Sequence, residues 1–186
     1  MPTSSAGTQK TRLETMDTLK AKIRHVPDFP KAGILFYDIT TLLRDPAGFR
    51  MAIDSLANPY EQAGIDLVVG IESRGFILGA AVADRLHTGF APIRKPGKLP
   101  AKTVRESFQL EYGSDAIELH EDAIEVGQRV LIVDDVLATG GTAAAARNIV
   151  RRLGGNLLGL AFLIELMALN GRSKLEGEAI MSVLTY

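Results

Sequence analysis

The segment that most constrains the fold is residues 129–142, with the sequence RVLIVDDVLATGGT. An uninterrupted apolar run at 130–133 stops at two adjacent acids, Asp134 and Asp135, and a Gly-rich stretch follows them. A short apolar run bounded by turn residues predicts a buried strand, and the Ala-rich residues after the glycines predict a helix. The segment therefore predicts a strand, an acidic strand end, a tight turn and a helix, which is a unit of parallel α/β sheets.

This local geometry suits a sugar phosphate. Backbone N–H groups at a helix start, left accessible by glycines, bind a phosphate group. Carboxylates beside them accept hydrogen bonds from ribose hydroxyls, and such charge-assisted bonds are the stronger kind. Asp134 and Asp135 are therefore candidates for ribose binding, and the Gly-rich turn is a candidate for phosphate binding.

Two nucleotide-binding alternatives lack their motifs. An apolar strand ending in two acids also occurs in nucleoside triphosphatases, which need a GxxxxGK[ST] loop. The one Gly-Lys pair, Gly97-Lys98, has Pro92 in place of the first glycine and Leu99 after the lysine. The GxGxxG motif of dinucleotide-binding folds does not occur. A strand-to-helix corner with a solvated acidic pair stays open, although adjacent carboxylates repel each other unless a cation or a hydroxyl meets them.

Composition narrows the function classes. A chain of 186 residues is long enough for one domain that buries roughly 70% of its unfolded surface. The absence of cysteine excludes disulfides, thiolate zinc sites and a cysteine nucleophile, and it fits a reducing compartment. The net charge of −1 favours neither nucleic acid nor an anionic membrane, and no apolar run is long enough to span a bilayer. We therefore expect a cytoplasmic protein with no nucleic-acid or membrane partner.

Helix and strand patterns alternate after a polar N-terminal segment. Residues 1–16, rich in Ser and Thr and without the apolar region of a secretory signal, are expected to be a disordered tail, and 17–186 one domain. Helices are predicted at 17–26, 45–56, 76–86 and 142–153, and strands at 66–71, 90–93, 129–133 and 157–165. This alternation predicts an α/β fold in which helices flank a twisted parallel sheet.

Two further segments are expected at the ligand-binding edge of that sheet, beyond the carboxyl ends of its strands. The turn at 72–75 follows a predicted strand and carries Arg74, whose guanidinium can bind a second anion. Residues 94–105 hold five basic residues and neither an acid nor an aromatic residue. An exposed turn arginine and a solvated basic face are the alternatives, and a nucleic-acid patch would need aromatic residues for stacking.

Together these sites describe a ribose that carries phosphate at both ends, and phosphoribosyl pyrophosphate is such a molecule. Displacement of its pyrophosphate by a nitrogen nucleophile requires a protein to neutralise the leaving group, position the base and exclude water. Magnesium is the expected cofactor. Because magnesium keeps several waters, we expect substrate and water to carry it near Asp134, without an all-protein metal site.

Five ordered segments make the chain similar to the type I phosphoribosyltransferases, in particular those that use adenine. The segments are 27–40 (PDFPKAGILFYDIT), 70–76 (GIESRGF), 93–100 (IRKPGKLP), 110–113 (LEYG) and 134–142 (DDVLATGGT). The resemblance implies transfer of the 5-phosphoribosyl group from phosphoribosyl pyrophosphate to adenine, giving AMP and pyrophosphate in purine salvage. It also implies a homodimer, a base-binding hood at 17–45 and a flexible flap at 94–116.

The resemblance also implies a role for individual residues. Asp134 and Asp135 would bind the ribose hydroxyls, and the 5′-phosphate would lie among Ala138, Thr139, Gly140, Gly141 and Thr142. The pyrophosphate would be met by Arg74, which would also be catalytic, and by Lys95 and Lys98.

On the base side, the resemblance implies that Leu35 and Phe36 bracket adenine, with Phe36 stacked on the ring. Glu111 would handle the proton at the base, and Tyr112 would close over the sugar. Tyr37 is a departure, because many relatives have arginine after the stacking phenylalanine.

Ala138 favours adenine over 6-oxopurines. Enzymes for 6-oxopurines generally carry an acid at this position, so here the proton-handling carboxylate has to come from elsewhere, and Glu111 is the candidate. Three alternatives stay open: Glu111 as a solvated flap residue, a transferase for another base, and a non-catalytic sensor of the sugar phosphate. A sensor bound to nucleic acid would need a DNA-binding extension or a broad basic face.

Overall fold

A computed structural model describes residues 5–109 and 113–186, with side chains from residue 13 onward. The contacts divide the chain into two units, Met1–Asp54 and Ser55–Tyr186. The sequence instead predicts one boundary, after residue 16, between an N-terminal tail and a single domain at 17–186. No helix in the described part of the chain is long and apolar enough to cross a membrane.

The N-terminal unit contains α1 (Ser5–Ala21), β1 (Arg24–Pro27), β2 (Leu35–Asp38), α2 (Thr40–Arg44) and most of α3 (Pro46–Ala57). Residues 5–16, expected to be disordered, are helical, because no proline interrupts them and Ala, Gln, Lys, Leu and Met are good helix formers. Residues 24–26, expected to end that helix, are instead extended. They pair antiparallel with β2, where Val26 lies opposite Phe36.

The described part of the second unit contains seven strands, five of which form one parallel sheet. Its strands are β3 (Leu67–Ile71), β4 (Gly89–Ile93), β5 (Thr103–Gln109), β6 (Ser114–His120), β7 (Arg129–Leu137), β8 (Asn156–Glu165) and β9 (Ile180–Thr185). Its longer helices are α4 (Arg74–Arg85) and α5 (Gly141–Arg152). The central sheet has the order β4-β3-β7-β8-β9, and all its pairings are parallel. The α/β prediction is therefore confirmed.

The strand order reverses between β3 and β7, which makes this point the expected ligand site of the sheet. Strand β3 pairs with β7 only as far as Val133, whereas β7 continues along β8 to Leu137. The sequence pattern predicts that this strand ends at Val133, but Asp134 pairs with Phe162 of β8 and keeps the backbone extended. The two acids thus stand where β7 has lost its β3 neighbour.

Helix α5 lies close to the sheet because its buried face is made of small side chains. Ala143, Ala145 and Ala146 are all buried in the main hydrophobic core, together with Ile149. Alanine combines high helix propensity with a short side chain, so the helix axis can approach the strands. The alanine run predicted to be helical therefore also serves to pack the helix on the sheet.

Strands of the second unit that the sequence did not predict are β5, β6 and β9. Strands β5 and β6 pair antiparallel within and just beyond the segment expected to be a flexible flap, and β9 lies at one edge of the central sheet. The exposure of β5 alternates along the strand, with Glu106 and Phe108 more buried than Ser107 and Gln109. That period of two is the signature of a half-buried strand.

We expect Phe162→Ala to lower the free energy of unfolding by about 3–5 kcal/mol, because the ring is fully buried on the central strand β8 and its loss leaves a cavity. Val126 is 89% exposed, so Val126→Ala serves as the control and should change stability by less than about 0.5 kcal/mol. Urea denaturation of both variants measures the difference. Equal effects of the two substitutions would contradict this assignment of the core.

Candidate active site

An ion pair joins the two predicted anchors of the site. The Nε atom of Arg74 lies 2.8 Å from Oδ2 of Asp135. Arg74 is the first residue of α4, directly after β3, and Asp135 lies on the extension of β7 past β3. Asp135 is only 7% exposed, and within the described chain its Oδ2 accepts no hydrogen bond of good geometry. This buried carboxylate therefore depends on Arg74 for compensation of its charge.

Asp134 is enclosed from the helix side. Its Oδ1 accepts a hydrogen bond from the backbone N–H of Asp135 at 2.8 Å. A Cβ atom at Gly75 would lie 2.6 Å from Oδ1 of Asp134 and 3.2 Å from the carbonyl oxygen of Val133. The start of α4 can therefore approach β7 only because residue 75 is glycine.

Burial shapes the ionisation of both acids. Burial, reinforced by the neighbouring Asp135 carboxylate, raises the pKa of Asp134 well above its ordinary value. Burial also raises the pKa of Asp135, although the Arg74 guanidinium acts in the opposite direction. Without a ligand, ionisation of these acids therefore carries a free-energy cost. Hydrogen bonds from hydroxyl groups, or a bound cation, would lower that cost.

The predicted phosphate loop connects β7 to α5. A cavity of about 80 Å³ is lined by Asp134, Val136 and residues 137–143. Gly140 has φ +76°, in the left-handed region that favours glycine, and it immediately precedes the first residue of α5. The first N–H groups of a helix have no partner within it, so this cavity offers donors to an anion.

Lys95 and Lys98, two of the three predicted pyrophosphate cations, lie on a loop that two acids hold in place. Glu72, at the end of β3, accepts hydrogen bonds from Nε of Arg94 and from the backbone N–H of Lys95, each at 3.1 Å. Glu118 accepts one from the backbone N–H of Gly97 at 3.2 Å. Glu72 therefore connects the Lys95 loop to the turn that carries Arg74.

The charge state of Glu72 supports this arrangement. Burial would raise the pKa of Glu72, but the N–H of Lys95, the Arg94 guanidinium and the charge of Lys98 bring it below its ordinary value. Lys95 remains 60% exposed and its Nζ lies 3.4 Å from Oδ2 of Asp115 at the start of β6. The loop thus presents cationic groups next to the ends of β3 and β7.

Glu111 and Tyr112 lie outside the described residues, so their predicted roles stay predictions. The strand that leads to them does contact the phosphate loop. A Cβ atom at Gly141 would lie 3.2 Å from Cδ2 of Phe108 and 3.6 Å from the carbonyl oxygen of Gln109. The described end of the flap therefore packs on the first residue of α5.

The three predicted base-binding residues belong to the N-terminal unit. Leu35 is 44% exposed. Phe36 packs edge-to-face on Phe29, with ring centroids 5.1 Å apart, and Tyr37 packs in the same way on His25 at 5.2 Å. Successive side chains of a strand point to opposite faces, so β2 carries Phe36 on one face and Leu35 and Tyr37 on the other, and each face offers an aromatic ring to a planar ligand.

Three residues of the second unit were not singled out from the sequence. Glu72 and Glu118 orient the basic loop, and Gly171 lies behind the phosphate loop, where its carbonyl oxygen is the nearest atom to a Cβ built at Gly140. An acid at the end of a predicted strand was a signal for Glu72. The Asn-Gly pair at 170–171 was a turn signal, but nothing local in the sequence tied it to residue 140.

Comparison with known proteins agrees with this geometry. Residues 38–179 match the family described as the phosphoribosyl transferase domain. The chain is 57% identical over 178 residues to an adenine phosphoribosyltransferase of Acidobacterium capsulatum, which covers 96% of this chain and 98% of the relative.

Solved structures give the same result. The crystal structure of the adenine phosphoribosyltransferase of Rhodothermus marinus has a TM-score of 0.90 and 54% identity, covering 94% of this chain and 99% of that one. That of Saccharomyces cerevisiae, complexed with an imino-altritol bisphosphate and adenine, has a TM-score of 0.88 and 41% identity, covering 92% and 99%.

The raised pKa of Asp134 predicts a pH dependence of stability. Its folded-state pKa lies above the ordinary value of 3.8, so folding favours the protonated form and the free energy of unfolding falls as pH rises from about 3.8 through the raised pKa. Asparagine cannot ionise, and its Oδ1 still accepts the N–H of Asp135. We expect Asp134→Asn to be about 1–3 kcal/mol more stable above that window.

Chemical denaturation between about pH 4 and pH 8 tests this prediction. The exposed Asp122 provides the matched control, and Asp122→Asn should leave the pH profile of the parent protein unchanged. A parent profile that rises across the window, or an Asp134→Asn profile parallel to it, would contradict the prediction.

Proposed function

The chain belongs to the phosphoribosyltransferase family, and since its relatives over nearly the whole chain are adenine phosphoribosyltransferases, we propose that it transfers the 5-phosphoribosyl group of phosphoribosyl pyrophosphate to adenine. The products are AMP and pyrophosphate, and the process is purine salvage. The observation that carries the proposal is the pair of adjacent acids, Asp134 and Asp135, beside Arg74 and the phosphate loop, at the point where the strand order reverses.

Asp134 and Asp135 bind the two ribose hydroxyls in this proposal. Two hydroxyl donors would supply the hydrogen bonds that buried carboxylates need, and hydrogen bonds to charged groups contribute about 1.5–3 kcal/mol each. The loop at 138–142 takes the 5′-phosphate, because the α5 N-terminus and the lining cavity offer it N–H donors. The ring is thus held at two places, which fixes its anomeric carbon for attack.

Arg74, Lys95 and Lys98 receive the pyrophosphate. The transition state develops positive charge on the sugar and negative charge on the leaving group, so fixed cations at the pyrophosphate end stabilise it. Glu72 supports this role, because it orients Lys95 and connects its loop to the Arg74 turn. Arg74 thus has two roles, because it binds the pyrophosphate and also compensates the charge of Asp135 at the ribose site.

We propose magnesium as the cofactor. Among the described residues, no three acidic or histidine side chains converge on one point. Asp134 and Asp135 nevertheless supply carboxylate oxygens of the kind that magnesium prefers. Phosphoribosyl pyrophosphate would supply many more oxygens, so these residues fit a magnesium ion that is held mainly by substrate and water. When bound, magnesium would neutralise charge on the pyrophosphate.

The base end of the proposal rests on Ala138 and on residues of the N-terminal unit. Ala138 carries no acid toward the base, so Glu111 serves as the proton-handling group and Tyr112 covers the sugar. Leu35 and Phe36 bracket adenine, with Tyr37 beside them. A site that accepts a hydrogen bond from the amine of adenine meets a carbonyl in hypoxanthine, and mismatches of this kind discriminate by roughly 10⁴ or more.

We also propose a cytoplasmic homodimer. Symmetric dimers are the commonest assembly. Support comes from large apolar side chains left exposed in the second unit: Ile77, Met167 and Leu169 are between 46% and 55% exposed. The cysteine-free composition fits a reducing compartment.

A pyrophosphate-release assay tests the function. Adenine, guanine, hypoxanthine and xanthine are offered separately with phosphoribosyl pyrophosphate, with and without magnesium. We expect release with adenine at a kcat/KM at least about 10³-fold above that for the other bases, and we expect it to require magnesium. Release with every base alike, or none with adenine, would refute the assignment. Substantial activity after chelation would refute the cofactor.

We expect Glu111→Gln to lower kcat by about 10²-fold or more while the KM values change little, because a general acid–base group acts in the transition state rather than in binding. Glu121, an exposed residue just beyond β6, offers the same substitution as a control, and Glu121→Gln should leave kcat unchanged. Steady-state kinetics with adenine measures both. An unaffected kcat in Glu111→Gln would mean that another group handles the proton.

A further inference from the structure

We propose that Gly171 is a positioning residue for the 5′-phosphate: its backbone forms a brace behind the phosphate loop and sets the orientation of the loop's N–H donors. The brace is the segment 165–172, which no predicted substrate contact includes. This inference rests on the proposed function, because it concerns the same loop at 138–142. It adds to that site a part of the chain that controls sugar-phosphate affinity without touching the ligand.

The brace and the loop meet backbone against backbone. Gly171 is buried, and a Cβ atom built on it would overlap the carbonyl oxygen of Ala138 and lie 3.1 Å from the backbone nitrogen of Gly140. In the other direction, a Cβ atom built on Gly140 would overlap the carbonyl oxygen of Gly171. These contacts are made by backbone atoms, and the side-chain atom among the three nearest to the Cβ built on Gly171 is Cδ1 of Leu137, at 3.0 Å. The distance between the loop and the brace is therefore fixed by two glycines that face each other.

Glycine is required at 171 for space rather than for backbone freedom. Gly140 has a positive φ, but Gly171 does not. Any L-residue could adopt the backbone conformation of Gly171, so a substitution there tests the contact alone. A side chain at this position must displace either the phosphate loop or the brace.

The brace is anchored so firmly that displacement falls on the loop. Arg172, the next residue, forms a bidentate ion pair with Glu165, with Nε and Nη2 each 2.7 Å from a carboxylate oxygen. Glu165 is the last residue of β8 and only 3% exposed, and it also accepts a hydrogen bond from Ser182 of β9 at 2.7 Å. The guanidinium of Arg172 lowers the pKa of Glu165, which keeps the carboxylate charged.

A second contact of Arg172 closes the anchor. Its Nη1 donates to the carbonyl oxygen of Ile180 at 3.3 Å, so the segment is bound to the ends of both β8 and β9. A bidentate arginine–carboxylate pair fixes orientation as well as distance. Gly171 thus stands between a rigid sheet edge and a loop whose N–H groups must converge on one phosphate, a geometry in which small misplacements are costly.

The test compares two alanine substitutions in the same part of the chain. Gly171→Ala adds a methyl group against the loop. Gly177→Ala adds the same group where nothing lies within 4 Å, although Gly177 has φ +82° and the substitution strains the backbone. The control therefore costs stability without touching the loop. Thermal melting, steady-state kinetics and calorimetric binding of ribose 5-phosphate are measured for both variants.

We expect Gly171→Ala to weaken ribose 5-phosphate binding and to raise the KM for phosphoribosyl pyrophosphate by about tenfold or more, with the KM for adenine within about twofold of the parent value. Gly177→Ala should melt at a lower temperature while all three constants stay unchanged. Unaltered ribose 5-phosphate binding in Gly171→Ala would overturn the proposal, and so would equal losses in both variants or an equal rise in the two KM values.

If Gly171→Ala does not fold, Arg172→Lys carries the same test, because lysine keeps the charge but cannot form the bidentate pair. We expect it to weaken ribose 5-phosphate binding by about threefold to tenfold, and unchanged binding would overturn the proposal. Failure of the proposed function is separately visible. A parent protein that binds ribose 5-phosphate but releases no pyrophosphate with adenine would refute the proposed function. The effect of the two substitutions on ribose 5-phosphate binding would still test the brace.

Discussion

The ion pair between Arg74 and Asp135, with the Asp134 carboxylate next along the strand, is the interaction on which this site depends. Ionising a carboxylate that is shielded from water is expensive, and here Asp134 and Asp135 are consecutive on one strand, where the Asp135 carboxylate adds to the cost of ionising Asp134. Arg74 offsets part of that cost at a distance of 2.8 Å from Asp135. A ligand can offset the rest of this free-energy cost. The arrangement that lowers the stability of the ligand-free protein therefore favours binding of a sugar with hydroxyl donors.

Glycines translate this electrostatic arrangement into geometry. Gly75 lets the N-terminus of α4, and Arg74 with it, come against Asp134. Gly140 and Gly171 let the phosphate loop rest on the chain behind it. At each place a side chain would separate two backbones that have to touch. Close approach of backbones thus fixes both the ribose end and the phosphate end of the site.

The sequence predicted those parts of the molecule that local pattern determines. The apolar run before Asp134 and the glycines after it specify a strand, a turn and a helix, and Arg74 follows a strand of the same kind. The parts it missed depend on partners far along the chain. The contact between Gly171 and Gly140 exists only after folding, and so does the hydrogen bond that the backbone N–H of Lys95 donates to Glu72. Glu111 and its neighbours stay predictions, because the structure does not describe them.

The order of the elements along the chain has a consequence for biosynthesis. The loop proposed to receive the phosphate leaves the ribosome before the segment that supports it, and strand β9, which helps to anchor this segment, is made later still. Since domains generally fold as units as synthesis proceeds, the nascent chain acquires both aspartates and the glycine turn while that support is still absent. On the proposed role of this segment, full affinity for a sugar phosphate is expected only after β9 has been synthesised.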